Sequence, residues 1–145
     1  MRAQAWGDKA VSVKRGSDSS RETRSAVDVA PYVAGVRRRA RLWAKECERA
    51  QRAARADARR IALRLMEAGA TRVMLFGSLA RGDGFTPLSD IDLAVEGIAW
   101  SDYWRVFSEV SKLTSFGVDL VVLEDASPEF RHRIYLEGED LSRGC

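Results

Sequence analysis

At 145 residues, 46% of them apolar and 31% charged, the chain has material for one hydrophobic core and a well-solvated surface. No run of about 18 apolar residues occurs, so a membrane-spanning helix is excluded, and no apolar signal segment precedes Asp28; the expected location is the cytoplasm. The net charge of +3 conceals a split: basic residues dominate from Ala34 to Glu67 and acidic ones from Ala68 onward. Such a split fits a nucleic-acid arm or, preferably, two complementary halves within one chain or between copies.

Residues 1–30 read as a flexible tail, with the polar run Gly16-Ser17-Asp18-Ser19-Ser20 and no hydrophobic period. Cys47, Cys145 and the single His132 lack the partners of a disulfide framework or a zinc cluster, and the two thiols are expected to be free. From Pro31 to Ala68 a long helix is predicted. Its residues are good helix formers, and Gly69 stands where a C-terminal cap belongs. Its stripe runs Val36, Ala40, Trp43, Cys47, Ala50, Ala54, Ala58, Ile61, Leu65, with Leu63 and Met66 adding apolar surface in the last turns that should pack on a sheet. Residues 31–54 are expected to form a basic extension that meets a partner or a second copy, and residues 55–145 the main domain.

A buried strand is predicted over residues 72–76 and a second, with alternating polar residues, over 89–95. Ser101 then suggests an N-cap for a helix to about Ser115, with Trp104, Phe107, Val110 and Leu113 as its core face. A third strand is predicted over residues 117–123. Ser127-Pro128 opens a last helix offering Phe130, Ile134 and Leu136 for burial. The sum is an α/β fold: a small mixed sheet flanked by helices, with a long helix before it.

Three features carry chemistry. Gly77-Ser78 follows the first strand and opens a short helix, offering backbone N–H groups, a hydroxyl and the positive end of a helix dipole to a phosphate; an ordinary turn would show the same pair. Asp90 and Asp92 fall two apart on a strand, hence on one face about 6–7 Å apart. Paired carboxylates there suit a divalent cation, or a solvated edge. Asp119 interrupts an otherwise apolar strand, where a carboxylate is costly if buried and unpaired and reasonable if it joins the other two.

The run Gly77-Ser78-Leu79-Ala80-Arg81-Gly82-Asp83, followed by Ser89-Asp90-Ile91-Asp92-Leu93, resembles the nucleotidyltransferases of the DNA polymerase β superfamily. With the closing pattern Phe130–Gly138, the likeness spans about residues 55–141 and points to the minimal nucleotidyltransferases, which often act as antitoxins to HEPN-domain toxins. The resemblance implies that Gly77 and Ser78 hold nucleotide phosphates, with Arg81 in a matching position. It also implies that Asp90 and Asp92 bind two Mg²⁺ ions and that Asp119 completes the site as ligand and base. ATP would be the nucleotide and a hydroxyl of the toxin the AMP acceptor. The spacing between Ser78 and Asp90 is one residue longer than the family's, and the extra residue falls in the loop 83–88. A small-molecule nucleotidyltransferase of the aminoglycoside type is the competing enzyme, and a non-catalytic partner-binding module the competing non-enzyme. His132 lacks the upstream arginine of a HEPN ribonuclease motif.

Overall fold

The computed structural model describes residues 26–144, so most of the expected tail and Cys145 fall outside the described residues. The chain divides into Met1–Ala40 and Arg41–Cys145. Helix α1 (Ala30–Glu67) runs across that division. In the first unit, the Asp28 carboxylate accepts the Ala30 N–H at 3.0 Å and so caps the helix start, while Tyr32, Val33 and Val36 are exposed. Among the described residues no helix is long and apolar enough to cross a membrane.

The second unit is built on a four-stranded sheet in the order β3-β2-β1-β4. Strand β1 (Arg72–Phe76) pairs antiparallel with β2 (Ile91–Glu96) and with the two-residue β4 (Glu139–Asp140), which the sequence pattern had not suggested. Strand β3 (Val118–Val122) lies parallel to β2 and forms the outer edge. Because successive side chains alternate faces, Val73 and Leu75, Ile91, Leu93 and Val95, and Leu120 and Val122 all enter one core with α1 and α3 (Trp100–Ser111). On the opposite face Met74 and Ala94 meet Leu123 and Ile134, the latter from α4 (Pro128–Glu137).

The buried stripe of α1 consists of Ala50, Ala54, Ala58, Ile61, Ala62 and Leu65. Methyl groups at 50, 54 and 58 let the helix backbone come close to its neighbours. Ile61 and Leu65 fill the core, as the expected packing of the last turns required, but Leu63 is exposed. The helix ends in a Schellman motif: Ala70 N–H donates to Leu65 O at 3.0 Å and Gly69 N–H to Met66 O at 3.1 Å. Upstream, Leu42 and Trp43 are exposed and the free thiol of Cys47 is half-buried, so the sequence stripe is real but only its later half is covered.

Three expectations need correction. Helix α3 begins at Trp100, with Ala99 and not Ser101 as its cap, and ends at Ser111. Its buried face is Val106 and Val110, flanked by Tyr103 and Phe107; Trp104 and Leu113 are exposed. The apolar run offered two phases one residue apart, and the phase that buries slim β-branched side chains won over the one led by a tryptophan with a polar N–H. In α4, Ser127 caps the Phe130 N–H as expected and Ile134 is buried, but Leu136 is exposed.

Arg55 ties α1 to the turn that follows β1 and to the β4 edge of the sheet. Its guanidinium donates to Leu79 O at 2.9 Å and Ala80 O at 3.4 Å, and pairs with Glu139 of β4 at 2.8 Å. A chain beginning at Arg41 is expected to keep the melting temperature of this unit. One beginning at Arg55 should lose the burial of Ala50 and Ala54, at ~0.8 kcal/mol per methyl, or about 1–2 kcal/mol in all. Thermal unfolding of the two truncations decides it; equal melting temperatures would mean that the alanine stripe before Arg55 contributes nothing.

Candidate active site

The strand ladders put three side chains in a row across one face: Phe76 opposite Asp92, and Asp92 opposite Asp119. Asp90 lies one residue before β2, and the adjacent Ile91 N–H donates to Gly117 O at 2.8 Å, which fixes the entry to β2 against the entry to β3. The expected neighbourhood of the two acidic strands is thus present. Strand β2 starts at Ile91 rather than Ser89, because Ser89 is drawn into a turn: its hydroxyl accepts the Thr86 N–H at 2.9 Å. That turn belongs to the lengthened loop, which Phe85 anchors by burying its ring against Phe116, centroids 5.6 Å apart.

Two glycines make room for the carboxylates. At Gly77 the backbone turns with φ +73°, and a Cβ there would overlap the Asp92 carboxylate and lie 3.1 Å from its Cγ. At Gly117 a Cβ would overlap the Asp90 carboxylate and lie 3.0 Å from its Cγ. The sequence offers Gly77 as part of a phosphate cradle; that Gly77 makes space for Asp92, and Gly117 for Asp90, is visible only in the fold. Helix α2 (Gly77–Arg81) is a single turn, so its dipole is small, and any phosphate affinity there rests on local N–H groups and the Ser78 hydroxyl. The Ser78 hydroxyl has no hydrogen-bond partner among the described residues.

Burial holds the Asp92 carboxyl above its ordinary pKa, and the neighbouring Asp119 and Asp90 add to the shift; Arg81 opposes it. Asp119 and Asp90 themselves are exposed. The burial cost suggested by Asp119's apolar strand therefore does not arise, because β3 is an edge strand and this end of the face is open. Beside it, Tyr103 donates its hydroxyl to Leu120 O at 2.7 Å, and burial together with the Asp119 charge raises its pKa. Arg81 is exposed and pairs with Asp83 at 3.3 Å. Among the described residues no three acidic, histidine or cysteine side chains close into a metal cage of their own. The donors in the row are all oxygens, the set a hard cation takes, and Mg²⁺ characteristically shares its coordination between one or two carboxylates and substrate phosphates.

A shallow cleft of about 190 Å³ adjoins Gly77 and is lined by Phe76, Gly77, Arg81, Phe130, Arg133, Ile134 and Glu137. Phe130 meets Phe76 edge to face, centroids 5.8 Å apart at 84°. In the sequence Phe130 stands as a core residue and as the start of the closing pattern 130–138, and Arg133 and Glu137 carry no separate role.

The Asp92 shift has a signed consequence. A carboxyl with a raised folded-state pKa costs stability once ionised, and that cost is absent below the unfolded-state pKa of about 3.9. Asp92→Asn is therefore expected to raise the melting temperature at pH 7 in the absence of divalent cations. Its advantage should shrink as the pH falls toward the ordinary aspartate range. Melting curves across pH check this, and an unchanged or lower melting temperature at pH 7 contradicts it.

The sequence matches the polymerase β nucleotidyltransferase family over residues 65–143, from the last turn of α1 to the final 3₁₀ turn. No curated protein matches it. Among solved structures, a chain assigned as a minimal nucleotidyltransferase is 30% identical, with 59% of this chain and 89% of that chain covered at a TM-score of 0.52. A chain from the Shewanella oneidensis complex of a tri-AMPylated HEPN toxin with its MNT antitoxin is 22% identical, covering 61% and 71% at a TM-score of 0.47. A Sulfolobus solfataricus nucleotidyltransferase is 24% identical, covering 66% and 85% at a TM-score of 0.43. The chain belongs to the polymerase β nucleotidyltransferase family and, within it, to the minimal nucleotidyltransferases.

Proposed function

We propose that this nucleotidyltransferase moves AMP from ATP onto a hydroxyl of a partner protein, a HEPN-domain toxin, and so acts as its antitoxin. The observation that carries the transferase site is the row in which Asp92, held between Phe76 and Asp119 by the ladders, abuts the open backbone of Gly77. In this reading the Gly77 N–H and the Ser78 hydroxyl receive the phosphates and Arg81 draws them in. Asp90 and Asp92, with Asp119 as the third oxygen donor, would hold two Mg²⁺ ions. Bound Mg²⁺ supplies charge neutralisation at the transferring phosphoryl group and acidifies the attacking hydroxyl. The hydroxyl oxygen attacks the α-phosphorus, its proton passes to Asp119, and the bond to the β-phosphate breaks to release pyrophosphate. The exposure of Asp90 and Asp119 supports a large acceptor, since a side chain on a protein surface must reach the row from outside.

The basic stretch 34–54 serves, in the same reading, to meet an acidic partner surface and not to do chemistry. Its exposed Trp43 and Leu42 are apolar anchors among arginines. Trp43→Ala is expected to weaken association with the toxin at least tenfold. A loss that instead follows the arginines and falls steeply with salt would assign the stretch to nucleic acid.

The transfer itself is tested with ATP labelled at the α-phosphate and the candidate toxin, with intact mass of the acceptor as readout. The wild type should add nucleoside monophosphate in the presence of Mg²⁺. Asp90→Asn or Asp92→Asn should lower the rate on the order of a thousandfold, the size of effect seen when a comparable electrostatic stabiliser is removed. Near-normal rates in either variant would remove the carboxylate from the mechanism. Labelling of an aminoglycoside but of no protein would favour the small-molecule reading.

A further inference from the structure

The carboxylate row is negative, and a nucleoside triphosphate adds several further negative charges beside it. Cations must lie on the side of Gly77 away from the row. Arg81 is one, but its guanidinium already pairs with Asp83 at 3.3 Å and also acts on Asp92. The cleft adjoining Gly77 holds a second arginine. Arg133 is exposed on α4 and forms no ion pair with the described residues. Its placement is fixed. Ile134, next to it, is buried against the sheet, and Phe130, one turn earlier, packs edge-on against Phe76, the residue before Gly77. These two contacts register α4 so that Arg133 and Arg81 line one cleft from opposite elements.

We infer that Arg133 binds the terminal phosphates of the nucleotide, and hence the pyrophosphate that departs, with Arg81 on the other wall of the cleft. This rests on the nucleotidyl-transfer reading above and adds a residue to it. A guanidinium presents several N–H donors in a fixed fork that matches phosphate oxygens, and an exposed arginine with no partner gives up little to engage them. Glu137, one turn after Arg133, also lines the cleft. It forms no ion pair with Arg133 and opposes phosphate binding, so its removal provides a control of the opposite sign.

The full chain, with Mg²⁺ present, is titrated by calorimetry with ATP, AMP and inorganic tripolyphosphate. Arg133→Ala is expected to weaken ATP and tripolyphosphate roughly tenfold or more, as loss of one charge-assisted hydrogen bond would, and to leave AMP unchanged. Arg133→Lys should recover part of the loss. Glu137→Gln should tighten tripolyphosphate. An unchanged melting temperature in each variant is expected, since neither side chain is buried. Equal weakening of AMP and ATP would move Arg133 to the nucleoside side, and unchanged ATP binding would remove it from the site; either overturns the inference while leaving nucleotidyl transfer intact. A wild-type chain that binds no ATP would overturn the transferase reading itself.

Discussion

Carboxylates that repel one another stay adjacent here because the backbone ladders of β1, β2 and β3 leave them no choice. The register that sets Asp92 between Phe76 and Asp119 is fixed by the opposite faces of the same strands: Val73, Leu75, Leu93, Val95, Leu120 and Val122 are committed to the core with α1. A slip of one residue would exchange every buried side chain with an exposed one. The hydrophobic core therefore enforces the closeness of the carboxylates, and burial of Asp92, with the charges of Asp119 and Asp90 adding to it, raises the Asp92 pKa. Removal of Ile91 or Leu93 from the core would act on the site by loosening that register.

Most of this was legible in the sequence because it depends on period and spacing. The five-residue strand at 72–76, the two-apart acids and the lone Asp119 carry their positions in the pattern itself. What was not legible depends on side chains distant in sequence. Gly117 reads as an ordinary strand lead-in until the Asp90 carboxylate is seen against it. Strand β4 has only two residues, both acidic, and exists through its pairing with Met74 and Leu75. The face of α3 was ambiguous because Tyr103, Trp104, Val106, Phe107 and Val110 supply two helical stripes, and only packing against the sheet chooses between them. Nothing in the spacing singles out Arg133, whose position depends on how Phe130 and Ile134 turn α4.

Arg55 shows how a residue of the long helix comes to matter at the site. The single turn of α2 ends with carbonyls that have no helical partner, and Arg55 takes two of them while holding Glu139 on the neighbouring strand. The alanine stripe just before it lets the helix approach closely enough for a guanidinium to span that gap. Small residues at 50, 54 and 58 and the large one at 55 thus belong to one arrangement: the first set the distance, and the last uses it.

The outer strand β3 raises a different matter, that of self-association. An uncovered sheet edge offers its free backbone groups to any other strand, and folded proteins blunt such edges with charge or by covering them. Here Tyr103 occupies the Leu120 carbonyl with its hydroxyl, and the exposed charge of Asp119 sits on the same strand one residue earlier. The group proposed to accept the proton is thus also an exposed charge on the edge, of the kind that opposes edge-to-edge stacking of copies. Neutralising it would at the same time remove a charge from the exposed edge, so a loss of activity at this position has to be separated from a loss of solubility.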